Sequence, residues 1–163
     1  KSFVKKNMLS IHSDVHFMNQ AILEASKAFE KGEIPVGAII VCENQIIARA
    51  HNQTQLLNDV TAHAEMLAIT AAADHLGNKY LHDCTLYVTL EPCPMCAGAA
   101  GWAQFGRIVY GANDDKNGFM IYGKRMLHPK TKVEFGISHQ KCAELMTSFL
   151  SLMSFCNLFT VHL

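Results

Sequence analysis

The chain has 163 residues, half of them apolar, which fits one ordinary domain with a single well-buried core. Lys plus Arg and Asp plus Glu stand at 14 each, so the global basic signature of many nucleic-acid binders is excluded and such a partner would need a local basic patch. Six cysteines would suit disulfides in a small secreted protein, but residues 1–14 carry no continuous apolar core and no small-residue cleavage site, so a reducing, cytoplasmic compartment is expected.

Residues 1–13 are expected to be a flexible extension ahead of a single domain over 14–163. Phe17, Ala21, Ala25, Ala28 and Phe29 recur at helical spacing and Gly32 supplies a stop, which predicts a first helix over 15–31. Residues 36–42 are a β-branched run, and 45–50 follow after Glu43-Asn44, the pattern of a hairpin. A polar loop over 53–60 leads to Thr61, an N-cap candidate for a helix that passes Ala68, Ile69 and Ala72 and stops at Gly77. A third strand is expected over 85–90. Pro92 suits a first helical turn, and 93–104 continue as a helix in which Gly98 and Gly101 suggest close packing.

A fourth strand is expected over 107–110, a Gly-rich loop over 112–123, a fifth strand over 131–135 and a final helix from near Ser138. Residues 145–163 hold no charge, which raises the question of a membrane span. Thr147, Ser148, Ser151 and Ser154 share one helical face, and Leu145, Phe149, Leu152, Met153 and Cys156 share the other, so a docked amphipathic helix is expected and no membrane. Strands alternating with helices predict a three-layer α/β/α sandwich with a mixed five-stranded sheet.

Two clusters carry chemistry: Thr61-Ala62-His63-Ala64-Glu65 opening one helix and Glu91-Pro92-Cys93-Pro94-Met95-Cys96 opening the next. Elements entering helices at one sheet edge converge on a crevice. Cys93 and Cys96, three apart, can face one point on a helical turn, where the helix N-terminus favours thiolates. With His63 they make three ligands and leave a fourth position for water, the count of a catalytic zinc site. Glu65 is the candidate proton carrier. Its two-residue spacing from His63 does not share a helical face, so the helix must present its end to the metal. Alternatives stay open: Cys93 and Cys96 as a redox pair in an interaction module without catalysis, or as half of a closed structural site with His139 and Cys142. Taken together, His-x-Glu followed by Pro-Cys-x-x-Cys is the signature of zinc nucleobase deaminases.

Further segments stand out: Glu33-Ile34-Pro35-Val36-Gly37-Ala38, the stretch 85–98 reading TLYVTLEPCPMCAG, Gly111-Ala112-Asn113-Asp114 and Leu127-His128-Pro129. On these and on Thr61 to Glu65, the chain from the first helix to about Leu150 resembles bacterial tRNA adenosine deaminases, which convert a wobble adenosine to inosine. The resemblance implies a cytidine-deaminase-like fold, one zinc per subunit on His63, Cys93 and Cys96, and Glu65 as acid and base. It further implies Asn52, Asp114, Val36 and Ala64 as substrate contacts, a homodimer, and the tRNA anticodon loop as partner; no other protein partner is implied. Attack of an activated water on adenine C6 would release ammonia. The chain departs from the family in its apolar tail, where a basic helix is common; Lys116, Lys124, Arg125, Lys130 and Lys132 are the remaining basic candidates beside the site. Free-base deaminases of guanine or cytosine remain an alternative, since guanine deaminases share His-Ala-Glu and Glu-Pro-Cys-Pro-Met-Cys.

Overall fold

The computed structural model describes residues 12–159, with side chains described as far as 155. Most of the expected extension, and the last residues of the tail, therefore lie outside the described residues.

Helix α1, Asp14–Glu30, starts at Ser13, whose hydroxyl accepts the His16 N–H at 3.1 Å, and buries Phe17, Met18, Ala21, Ala25 and Ala28. Strands β1, Gly37–Cys42, and β2, Gln45–His51, are joined by Glu43 and Asn44, both at positive φ, which a two-residue hairpin turn of matching twist demands. Helix α2, Ala64–Leu76, ends on Gly77 in the left-handed conformation. Then follow β3, Cys84–Leu90, α3, Pro94–Ala103, β4, Arg107–Ala112, β5, Lys132–Phe135, and α4, His139–Phe159. Two short 3₁₀ turns, Phe119–Ile121 and Lys124–Met126, interrupt the loop after β4.

The five strands lie in the order β2-β1-β3-β4-β5, with β1 antiparallel to both neighbours and β3, β4 and β5 parallel. Alternation along each strand divides the core in two. Ala38, Ile40, Leu86, Val88 and Ile108 face the alanines of α2 and α3, while Ile39, Val41, Tyr87 and Val109 face Phe17, Met18 and Ala21 of α1 and Cys142 of α4. The expected three-layer sandwich is therefore the fold. Small side chains bring α3 close: a Cβ on Gly101 would collide with the Met126 carbonyl.

Three local expectations are corrected. Thr61 does not cap α2; the Asp59 carboxylate accepts its N–H and hydroxyl, each at 2.8 Å, and His63 takes the cap position instead. Pro94 rather than Pro92 stands at the start of α3, with Cys93 as the cap. The apolar face of α4 docks only in part. Phe149 is buried edge-to-face on Phe29, with centroids 5.7 Å apart, but Leu152 and Met153 are exposed because the helix runs past the sheet. Among the described residues, no helix is long and apolar enough to cross a membrane.

Candidate metal centre and substrate pocket

The parallel pair β3 and β4 ends at Leu90 and Ala112, where the Glu91 N–H reaches the Ala112 carbonyl at 2.8 Å. The end of β2 comes to the same edge, because Asn52 N–H bonds to Val36 O and Gln53 N–H to Ala62 O, both at 3.0 Å. These links carry the start of α2 to the start of α3.

His63 and Cys93 are both N-cap residues in extended backbone, and Cys96 lies in the first turn of α3. The His63 Nδ1 atom is 3.7 Å from Cys93 Sγ and 3.5 Å from Cys96 Sγ. All three ligand atoms lie within 4.8 Å of one another. Bonds of about 2.0 Å to nitrogen and 2.3 Å to sulfur give a tetrahedron with edges of about 3.5–3.8 Å, so this donor set fits zinc. His139 and Cys142 do not join it. Cys142 is buried in the core on the opposite face of the sheet, against Gly111, which rules out the closed four-ligand arrangement.

Electrostatics at the three atoms follow from their contacts. Cys93 is held down to about 4, chiefly by the hydrogen bond from Cys96 and then by His63; as the donor in that pair, and through burial, Cys96 is pushed up. The Cys93 contact also raises His63. Glu65, 4% exposed, is raised to about 7, chiefly by burial. Because His63 lies outside the helix and Glu65 inside its first turn, both reach the same space, as the spacing argument required.

That space is a cavity of about 370 Å³ reached by His63, Cys93, Glu65, Asn52, Val36 and Asp114, with Ile34, Thr54, Leu90, Glu91, Asn117 and Met146 completing its wall. The volume suits a nucleoside-sized ligand. Ala64 is different: its methyl is fully buried among the core alanines and does not line the cavity. The Asp114 carboxylate is engaged in turning its own loop, accepting the N–H groups of Lys116 and Asn117 at 3.1 and 3.0 Å.

Two carboxylates with supporting roles were not singled out from sequence. Glu33, 1% exposed, accepts Asn52 Nδ2 at 3.3 Å, Thr54 Oγ1 at 3.3 Å and the N–H groups of Gln55 and Leu56 at 2.9 and 2.8 Å. Glu91 accepts the N–H groups of Asp114 and Met120, each at 3.0 Å, and so holds the loop after β4 over the cavity. Neither shows a periodic signal: Glu91 stands directly after β3, Glu33 lies four positions ahead of β1, and both enter the sequence reading only inside longer motifs, without a role of their own.

The basic residues do not form one cluster beside the site. Lys116 lies in the Asp114 loop, but Lys132 pairs with Arg107 at the start of β4 and Lys130 lines a separate hollow with His82 and Gln104. Because β4 and β5 run parallel, those two lysines lie at the opposite sheet edge from the cavity.

Residues 11–112 match the cytidine and deoxycytidylate deaminase zinc-binding region. A tRNA-specific adenosine deaminase of Streptococcus pyogenes is 41% identical over 145 residues, 86% of this chain and 91% of that protein. A solved structure from work on A-to-I editing by tRNA:A34 deaminases at the wobble position superposes with a TM-score of 0.75 at 42% identity, covering 80% of this chain and 98% of that one. The guanine deaminase of Bacillus subtilis superposes with a TM-score of 0.62 at 38% identity, covering 68% and 74%. With the zinc-fitting triad, the cavity and these likenesses together, the chain belongs to the tRNA-specific adenosine deaminases of the cytidine and deoxycytidylate deaminase family.

Proposed function

We propose that this chain hydrolyses adenosine to inosine at the wobble position of tRNA, with one zinc per subunit held by His63, Cys93 and Cys96. The observation that carries the reading is the gathering of one imidazole and two sulfurs beside the buried Glu65 carboxylate in a nucleoside-sized cavity. When bound, zinc supplies Lewis acidity that makes water a nucleophile near neutral pH.

Glu65 then carries the protons. Its carboxylate takes one from the attacking water as the oxygen bonds to adenine C6 and delivers it to ring N1; a second, from the hydroxyl now on C6, passes to the amino group as the C6–N bond breaks, the C6 carbonyl forms and ammonia leaves. Asn52, with its Nδ2 committed to Glu33, offers Oδ1 to the nucleotide. Val36 supplies an apolar wall, the Asp114 loop borders the nucleotide, and Ala64 has only its backbone N–H at the helix end to give.

The same reading includes a homodimer and a cytoplasmic location. Support for the dimer comes from apolar side chains on α3 and the adjoining turn that face water, Met95, Trp102 at 85% exposure, Ile121 and Tyr122. Reducing surroundings keep the metal-holding thiols available. The test is incubation of zinc-loaded protein with an anticodon stem-loop and, separately, with free guanine and cytosine. Inosine in the stem-loop is the expected product. Ammonia from the free bases alone would overturn the reading in favour of the guanine-deaminase likeness.

A further inference from the structure

A second pair of thiols lies at the other end of the sheet. Cys42 closes β1 and Cys84 opens β3, and the antiparallel register sets them directly opposite each other. The Cys84 N–H turns back to the Leu81 carbonyl at 3.0 Å, so the two residues form a non-hydrogen-bonded cross-strand pair. In that class the Cα atoms approach to about 4.5 Å and the side chains stand nearest each other. A spacing of that class falls inside the roughly 4.4–6.8 Å that a disulfide spans.

Both side chains project to the α2 face, Cys84 within the core and Cys42 at its margin. Both thiols are free, and a surface hollow lined by Cys42, Tyr80, Asp83 and Cys84 opens onto them. The strand β3 separates Cys84 from the metal-side end of the sheet by about 20 Å, at about 3.3 Å per residue.

We propose that Cys42 and Cys84 are an exchange-active dithiol, oxidised to an intrachain disulfide by small peptide disulfides of the oxidised-glutathione class. Cys42, half-buried where Cys84 is closed off, attacks as the thiolate: a bond forms from its sulfur to one reagent sulfur, the reagent's own S–S bond breaks, and one thiolate leaves. Cys84 then attacks the Cys42 sulfur, its proton passes to the second leaving thiolate, and the bridge closes. The cysteines together lose two electrons and two protons, and the reagent gains them as two thiols. Burial and then the hydrogen bond with Cys42 push the Cys84 thiol up to about 12, so the first attack falls to Cys42 and not to Cys84.

The experiment treats zinc-loaded protein with excess oxidised glutathione, quenches in acid, and reads intact mass and a non-reducing peptide map. The wild type should lose two hydrogens, yield a cross-linked peptide joining Cys42 to Cys84, and recover fully with dithiothreitol. C84S should instead accumulate one glutathione adduct on Cys42, and C42S should show neither the bridge nor an adduct on Cys84. A wild-type map in which Cys42 and Cys84 stay reduced overturns the proposal, and so does a folded C84S without an adduct on Cys42. The wild-type map decides alone if a variant fails to fold.

Discussion

Glu33 holds Asn52 by its side-chain amide, Nδ2 to Oε2 at 3.3 Å, and the same carboxylate fixes the backbone of Gln55 and Leu56. One buried acceptor thus sets which end of the Asn52 amide faces the cavity and how the following loop runs. Glu33→Gln turns a donor toward groups that are themselves donors, a mismatch worth about 1–3 kcal/mol of stability. With Asn52 free to turn, kcat/KM on the stem-loop should fall about tenfold or more while zinc content stays at one per chain. Unchanged kcat/KM in Glu33→Gln would remove Asn52 from substrate positioning.

Glu65 and His63 should separate chemistry from metal holding. Glu65→Gln removes the proton carrier but none of the sulfur or imidazole ligands, so zinc should stay bound while kcat falls by about 10² to 10⁴. Its thermal stability should not drop, because a buried carboxylate is replaced by a neutral group of the same shape. His63→Ala should lose zinc and activity together. The checks are metal analysis, melting curves and the stem-loop assay; full turnover in Glu65→Gln would leave a non-catalytic zinc module as the better account.

Gly37 lies where β1 crosses α1, and its N–H donates to Thr89 Oγ1 at 3.1 Å. A Cβ there would run into the Ala21 carbonyl and the Ala25 nitrogen, backbone atoms of a helix that cannot turn aside. Gly37→Ala should therefore cost about 3 kcal/mol or more, read as a loss of denaturation midpoint. A midpoint within error of the wild type would show that α1 shifts freely.

The element order was legible because helical and strand periodicities are interrupted by Gly32, Glu43-Asn44 and Gly77, whose backbone demands are local. His63, Cys93, Cys96 and Glu65 were legible because metal chemistry restricts both residue type and spacing. What escaped depends on distant partners. Thr61 looked like a cap until Asp59 claimed its donors, and Glu33 and Glu91 look solvated until loops 20 or more positions away fold onto them. The lysines seemed contiguous because the return of β5 parallel to β4, which separates them, is a property of the sheet. Likewise the α4 face looked complete, but how much of it docks depends on where the sheet ends.

The division of the lysines predicts unequal effects on RNA. Lys116 belongs to the loop held over the cavity by Glu91, so Lys116→Ala should weaken stem-loop binding and reduce its salt dependence by about one ion. Lys130 and Lys132 face the other sheet edge, and their alanine variants should bind as the wild type does. Titrations at several salt concentrations decide it; a larger loss from the distant pair would move the RNA path away from the cavity mouth.

Asp14 and Arg107 tie α1 to the sheet through two bonds of 2.7 Å, with the Tyr87 hydroxyl donating to the same carboxylate at 2.7 Å. The hydrogen bond from Arg107 holds the Asp14 carboxyl below its ordinary value of 3.8. Since the folded value lies below the unfolded one, the stabilisation is fully present above the ordinary carboxylate range and is lost as pH falls through the lowered folded value. Both groups keep partial contact with water, so solvent screening limits the effect to about 1–2 kcal/mol. Asp14→Asn should accordingly melt below the wild type at neutral pH, and the gap should close as the pH drops under about 4. A gap that stays constant across that range would mean that the asparagine disturbs packing at the start of α1 and that the ion pair contributes nothing measurable.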